Sequence, residues 1–335
     1  MKLLYVSSIF KQNSFGEVSQ KILKMMFKYS DWDIYLYNIG CTEEHANTTM
    51  NVFPNAKGVY FIPSYEFNNN DDFNLLYVSG VLHIKKYILE IDPDVVIILH
   101  NDLNVLHHST VIDSIRDVWS GRFFPYIPVD YKKPPFNLFD LKCDSCLTMN
   151  SWSVNEIKKT TNDIYPVFNF PHIVDGFSCL SNSNRNKLRL KYYGNLCNKY
   201  IIGCVNANSV RKRLDLVIKS FVLFHSQCPD SILVIKTTKA DHNMVCGSFN
   251  FENLIKTYPI IIILDYLTNN DLNELYNTFD IMINATDGEG FGLTPFECAL
   301  AGTLTIMPNN SSFTSLTSNN VIPRYLIPCY SVPYQ

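Results

Sequence analysis

Short apolar runs, four to six residues long and bounded by polar or turn residues, recur along the whole chain with helical patterns between them. In the first half they are Lys2–Val6, Asp33–Tyr37, Val59–Ile62, Val95–Leu99, Phe124–Ile127 and Ser145–Met149. In the second they are Tyr200–Val205, Ile232–Lys236, Ile260–Leu264, Ile281–Asn284 and Thr303–Met307. Runs of this length and character suit strands buried on both faces of a parallel sheet. Between them, Val18, Ile22, Met25, Met26 and Tyr29 trace one helical stripe, and Leu214, Val217, Ile218, Phe221 and Val222 trace another. Leu272, Leu275, Tyr276 and Phe279 trace a third behind the capping signal Thr268-Asn-Asn-Asp271. Repeated strand–helix alternation predicts an α/β protein with two doubly wound, Rossmann-like parallel sheets.

The seam is expected near Phe168–Phe177, which carries Pro171 and Gly176 and precedes a polar stretch. That divides the chain into residues 1–170 and 171–335, each long enough for its own core. In open parallel sheets, ligands bind beyond the carboxyl ends of the strands, so two such sheets are expected to face a central cleft. After Met307 the tail holds Pro308, Pro323, Pro328 and Pro333, with Val321–Ile327 as a last strand and no long closing helix.

Composition excludes several functions. Net charge is −3 with no long basic run, which argues against a nucleic-acid footprint. Ten cysteines are scattered, and the close pair Cys143-Asp-Ser-Cys146 has no second pair to complete a zinc site. Free, mostly buried thiols fit a cytoplasmic protein. The first residues turn polar too soon for a signal peptide, and the run Pro259–Leu264 falls far short of a membrane span. Peripheral membrane contact stays open.

One stretch carries the strongest chemical signal. The apolar run Phe279–Ile283 leads into Asp287-Gly-Glu-Gly-Phe-Gly-Leu-Thr-Pro-Phe-Glu297. A strand, a glycine turn and a helix start together suggest an anion site, because backbone N–H groups and the helix dipole converge there. Two carboxylates beside it, Glu289 and Glu297, can grip hydroxyls. A phosphorylated or nucleotide-linked sugar offers both groups. A plainer reading exists: Thr294-x-x-Glu297 is a capping box with Pro295 at the favoured first helical position. A second segment, Val205-Asn-Ala-Asn-Ser-Val-Arg211, runs from a strand into Arg211, Lys212 and Arg213 at a helix start. Cations there oppose the helix dipole, and an anion in the gap would account for them. A solvated basic patch is the alternative.

In that order these segments resemble the retaining GT-B glycosyltransferases, family 4 in particular, over most of the chain. Met1-Lys-Leu-Leu-Tyr-Val6 with Gly16 ahead of a helix is similar to their first strand and glycine loop. Pro171-His-Ile-Val-Asp175 with Phe177 resembles their interdomain segment. Glu289-Gly-Phe-Gly-Leu-Thr-Pro-Phe-Glu297 resembles their paired-glutamate motif, and Ala299-Leu-Ala-Gly302 the helix end after it. The resemblance implies a nucleotide-diphosphate-sugar donor, UDP- or GDP-linked, held by the C-terminal domain without a metal or other cofactor. It puts Lys212 on the diphosphate, the backbone of Gly290, Phe291, Gly292 and Leu293 around the phosphates, Glu297 on the ribose and Glu289 on the sugar. Gly16, Asn208, Arg211 and Arg213 complete the expected donor-binding set. Two departures stand out. Ala207 occupies the place of a phosphate-binding Arg, for which Arg211 or Arg213 would substitute. Asp130, after the strand Phe124–Ile127, takes the place of an acceptor-side His and is the candidate base with Glu289 and Lys212 as the catalytic set. His100 is a further strand-end residue, more often structural in such a place.

The expected activity is transfer of a hexose-like sugar with retention to an unidentified glycan, lipid or protein acceptor. The alternatives are a catalytically inactive GT-B sugar-nucleotide-binding or scaffold protein, and an epimerase-like GT-B enzyme.

Overall fold

In the computed structural model the chain divides into two compact units, Met1–Ile173 and Val174–Gln335. The residues described are 1–10, 14–42, 50–62, 80–130, 138–237, 256–316 and 324–329.

The first unit runs β1 (Lys2–Ser7), α1 (Ser14–Tyr29), β2 (Asp33–Thr42), β3 (Gly58–Ile62), α2 (Val81–Ile91), β4 (Val95–Leu99) and α3 (Asp102–Asp113). It continues with β5 (Arg122–Tyr126), β6 (Cys146–Thr148), α4 (Ser151–Thr161) and β7 (Val167–Asn169). Its seven strands pair in the order β3-β2-β1-β4-β5-β6-β7, every pair parallel. Strand interiors are as apolar as the runs predict: Leu3 to Val6 are wholly buried. Leu4, Val6, Val96 and Ile98 pack with Ile84 and Ile88 of α2 on one face.

Three expectations shift here. Of the helix stripe Val18, Ile22, Met25, Met26, Tyr29, only Val18 and Ile22 lie on the buried face of α1. The buried positions are Gly16, Val18, Ser19, Ile22 and Leu23, while Met25 is 45% and Tyr29 69% exposed. Ser19 enters the interior because its hydroxyl accepts from the Tyr5 hydroxyl at 3.2 Å. The strand expected at Phe124–Ile127 starts and ends earlier, at Arg122 and Tyr126. The three-residue β7 overlaps the start of the expected seam, with Phe168 and Asn169 exposed on the sheet's edge.

The second unit runs α5 (Asn182–Tyr193), β8 (Tyr200–Val205), α6 (Leu214–Gln227), β9 (Ser231–Lys236), β10 (Ile260–Ile263) and α7 (Asn269–Thr278). It closes with β11 (Ile281–Ile283), α8 (Leu293–Leu300), β12 (Leu304–Pro308), the single turn α9 (Phe313–Leu316) and β13 (Arg324–Ile327). Of the last strand expected at Val321–Ile327, residues 321–323 lie outside those described. The order is β10-β9-β8-β11-β12-β13, again parallel throughout.

Alternation along β8 divides this core. Ile201 and Val205 join Ile232, Val234, Leu275, Tyr276 and Phe279 on one face, and Ile202 and Cys204 join Leu214, Val217, Ile218 and Phe221 of α6 on the other. At ~1.5–3 kcal/mol per buried side chain, the four α6 residues contribute roughly 6–12 kcal/mol of gross transfer energy, an upper bound for the unfolded-state reference used. Gly203 lets the sheet meet Phe279, whose ring lies 2.1 Å from where a Cβ would sit. Thr268 and Asp271 form the expected capping box of α7.

Candidate functional site

Each sheet reverses its strand order once, and the reversal in the second unit lies between β8 and β11. There the connections from two adjacent strands leave in opposite directions, opening a crevice at their carboxyl ends. The loops at those ends are the two segments singled out above: 206–213 after β8 and 284–292 after β11.

These loops are joined by hydrogen bonds. The Asp287 amide donates to the Arg211 carbonyl at 2.8 Å, and the Thr286 hydroxyl lies 3.2 Å from the same oxygen and 2.8 Å from the Gly288 carbonyl. Arg211 Nη1 donates to the Gly288 carbonyl and lies 3.5 Å from Glu289 Oε2. Lys212 Nζ donates to Glu289 Oε1. Lys212, its side chain 15% exposed, thus meets a carboxylate that is 10% exposed. A buried charge of either sign is costly without its partner, and each of these side chains supplies the other's.

Arg213 behaves differently. Its φ of 49° puts it in the left-handed region, where it forms the N-cap of α6 without a side-chain cap bond. Its guanidinium forks onto Asp215 at 3.0 and 3.2 Å and reaches Asp287 at 3.3 Å. The Asp215 hydrogen bond raises the Arg213 pKa. Burial opposes the Asp215 charge, yet the Arg213 fork outweighs it and holds the carboxyl below its ordinary range. The three basic residues read as facing an absent anion therefore face three carboxylates of the protein itself: Glu289, Asp215 and Asp287.

The glycine loop enters α8 through Gly292, whose φ is 89°. A Cβ there would lie 2.4 Å from the buried Phe313 ring. Conformation and space both require glycine. The capping box, the plainer reading of Thr294-x-x-Glu297, does not form. The helix begins at Leu293, its N-cap is Gly292 with no side-chain cap bond, and Pro295 is its third residue rather than its first. Glu297, 4% exposed, instead accepts a hydrogen bond on Oε2 from the Tyr276 hydroxyl at 2.7 Å. Tyr276, which pattern reading treats only as core, is thereby tied to the candidate site. The available signal is its phenol: a tyrosine at a wholly buried stripe position needs a polar partner. Phe291 and Phe296 stack beside the loop, with centroids 4.9 Å apart.

Asn208 is half-buried and Ala207 exposed in the β8 loop. Gly16 and Asp130 belong to the first unit. Gly16 is the third residue of α1, within the helix rather than ahead of it, and the loop 11–13 before it lies outside the described residues. Asp130 is half-buried, four positions beyond the end of β5. His100 is held structurally. The Asn101 amide and the Asn104 side-chain amide both approach Nδ1 at 2.9 Å, which leaves the ring proton on Nε2, and the ring stacks on Phe15 at 5.2 Å. In the segment Pro171–Asp175, burial and the Lys21 charge push His172 down to about 3, so its imidazole is neutral. Burial pushes Cys143 up to about 12 and Cys146 well above its usual value, so neither is a ready thiolate. Among the described residues no group of three or more His, Cys, Asp or Glu is placed to hold a metal, and no helix is long and apolar enough to cross a membrane.

Residues 193–333 match the family model described as glycosyl transferases group 1. No curated protein sequence matches the chain. Among solved structures, Anabaena HepE in complex with UDP and glucose is 13% identical, with a TM-score of 0.68 over 98% of this chain and 86% of that one. Sucrose-phosphate synthase from Thermosynechococcus elongatus is 13% identical, with a TM-score of 0.70 over 98% and 86%. The catalytic domain of Starch Synthase IV from Arabidopsis thaliana, bound to ADP and acarbose, is 10% identical, with a TM-score of 0.65 over 98% and 88%. Identities this low speak for fold, and the fold agrees with the two parallel sheets described above. The chain has the GT-B fold, and its second unit, which carries the Glu289–Lys212 loops, matches the glycosyl transferases group 1 family.

Proposed function

We propose that the chain is a retaining glycosyltransferase that moves a hexose-like sugar from a UDP- or GDP-linked donor to a glycan, lipid or protein acceptor without a metal. The observation that carries this reading is the buried Glu289 carboxylate gripped by Lys212 and Arg211 at the strand-order reversal of the second unit. Cations suited to a diphosphate and a carboxylate suited to sugar hydroxyls share one hydrogen-bonded cluster, which supports this reading. Neighbours of the same fold are described with UDP and glucose and with ADP and acarbose, which supports a nucleotide-sugar ligand.

On this reading Lys212 and Arg211 turn from Glu289 to the diphosphate when the donor arrives. Arg211 takes the role that Ala207 leaves open. Arg213, tied to Asp215 and Asp287, shapes the loop instead of holding phosphate. Backbone groups of Gly290 to Leu293 and the start of α8 face the phosphates, favoured by the helix dipole. Glu289, released from its cations, accepts hydrogen bonds from the sugar, and Glu297 accepts them from the ribose. Departure of the diphosphate leaves positive charge on the sugar and negative charge on the leaving group. Fixed cations stabilise that separation without solvent reorganisation. Asp130 is assigned to the acceptor side.

Calorimetry with UDP and GDP tests the assignment. Lys212→Ala and Glu297→Ala are each expected to weaken binding at least tenfold. Glu289→Ala is expected to keep nucleotide affinity and lose transfer. Unchanged affinity in both of the first two variants would remove the donor site from these loops. Nucleotide binding with no transfer from any donor would leave the inactive binding protein as the better reading.

A further inference from the structure

Glu289 is held at both ends, and only its carboxylate end belongs to the donor-site reading. Its main chain is fixed by the turn that follows β12. The Glu289 amide donates to Ser311 Oγ at 2.9 Å in the interior, and the Ser312 amide approaches the Glu289 carbonyl at 3.4 Å. The Ser311 hydroxyl donates to Asn310 Oδ1 at 3.2 Å, which leaves oxygen lone pairs for the Glu289 amide. Asn310 Nδ2 donates to the Asp287 carbonyl at 3.0 Å, and Ser312 Oγ donates to the Phe291 carbonyl at 3.2 Å. Three consecutive residues thus engage the glycine loop from Asp287 to Phe291.

Ser311 holds this place in an unfavourable backbone. Among the described residues five non-glycines have positive φ: Asp92, Asn162, Asp163, Arg213 and Ser311. Asp and Asn tolerate the left-handed region, and Asp92 and Asn162 are helix C-caps there. Arg213 and Ser311 have no such excuse, and they stand in two different loops of the candidate site. Glycine at 311 would relax a φ of 44°, yet glycine has no hydroxyl for the Glu289 amide. Strained residues of this kind persist where the surroundings use them.

We propose that Ser311 is a positioning residue: its hydroxyl sets the backbone of Glu289, and through it the aim of the carboxylate at the sugar of the donor. The inference rests on the reading of Glu289 given above and adds a residue that does not touch the donor.

Two variants separate positioning from stability. Ser311→Ala loses the hydroxyl and keeps the strain; Ser311→Gly loses the hydroxyl and relieves the strain. Ser311→Gly is expected to unfold at a higher temperature than Ser311→Ala. Amide exchange at Glu289, followed by NMR, is expected to accelerate at least tenfold in both. With a nucleotide-sugar donor, kcat is expected to fall at least tenfold and to a similar extent in both, with UDP and GDP affinity within twofold of wild type. Unchanged Glu289 protection, or a kcat that follows thermal stability and recovers in Ser311→Gly, overturns the proposal. A wild-type chain that turns over no nucleotide sugar sinks the transferase reading, and the exchange measurement still decides whether Ser311 fixes Glu289.

Discussion

Tyr276→Phe removes one oxygen atom and leaves the packing in place. The ring of Tyr276 is wholly buried, edge-on to Phe177 at 5.8 Å and to Phe279 at 6.3 Å, so phenylalanine keeps both contacts and opens no cavity for a side chain. What is lost is the 2.7 Å hydrogen bond to Glu297, whose residue is 4% exposed. Hydrogen bonds to charged groups contribute ~1.5–3 kcal/mol, and a buried carboxylate that loses a donor sits at the upper part of that range. At about 2–4 °C per kcal/mol for a unit of this size, the unfolding midpoint of the second unit should fall by about 3–12 °C. Thermal unfolding followed by circular dichroism reads this directly. A double-mutant cycle assigns the cause: in a Glu297→Gln background, Tyr276→Phe should cost at least about 1 kcal/mol less than in wild type, because the charge it served is gone. A midpoint within 1 °C of wild type (an arbitrary but measurable limit, roughly a few tenths of a kcal/mol) would refute the view that this phenol holds Glu297. Weakened UDP or GDP binding in Tyr276→Phe, at a temperature where the protein stays folded, would further mark the bond as the support of a ribose contact.

Two other outcomes follow from single positions. Gly292→Ala forces a side chain into a left-handed backbone and within 2.4 Å of Phe313, which is 1% exposed and has little room to yield. Strain and overpacking together should cost roughly 2–5 kcal/mol in urea unfolding, and a loss below about 1 kcal/mol would contradict the geometry. His108, wholly buried, is pushed down to about 4 by burial, against the help of its Nδ1 bond to the Asn104 carbonyl and with the His100 and His107 charges adding to the fall. The unfolded chain takes up this proton near pH 6.5 and the folded chain refuses it, so the contribution is present above 6.5 and is lost as pH falls toward 4. The loss amounts to ~3 kcal/mol by pH 4, with His172 adding in the same direction. Unfolding midpoints across this range should fall less steeply in His108→Asn, which keeps a donor for Asn104; equal slopes in both proteins would count against it.

How far these features were legible in the sequence depends on the range of the interaction behind each. The strands were, because both faces of a parallel sheet are buried and the apolar runs needed no partner to be recognised. β8 coincides with the apolar run Tyr200–Val205, and β4 with Val95–Leu99. Weak or misleading apolar content hides the rest. β7 has three residues and two exposed positions, and α1 turns Ser19 inward while Met25 and Tyr29 face water. Hydrophobicity ranks Met above Ser, but the Tyr5 hydroxyl waiting beneath α1 reverses the order, and that contact joins two elements.

The site divides along the same line. Glu289, Glu297, Lys212 and the glycines announced themselves as a local pattern, and the pairing of β8 with β11 brings their two loops together across β9 and β10 in sequence. No local signal contains that pairing. The capping box failed for a related reason. Thr294, Pro295 and Glu297 satisfy its spacing, but the left-handed turn at Gly292, pressed against Phe313, starts the helix before Thr294. Glu297 then lies two positions beyond the third helical residue, where a capping-box carboxylate would stand, and its carboxylate goes to Tyr276 from α7. A short motif fixes which side chains are available; the packing of a residue 21 positions away fixes which of their possible bonds is made. For Glu289 the same logic runs through Ser311, whose hydroxyl and strained backbone no spacing rule would single out.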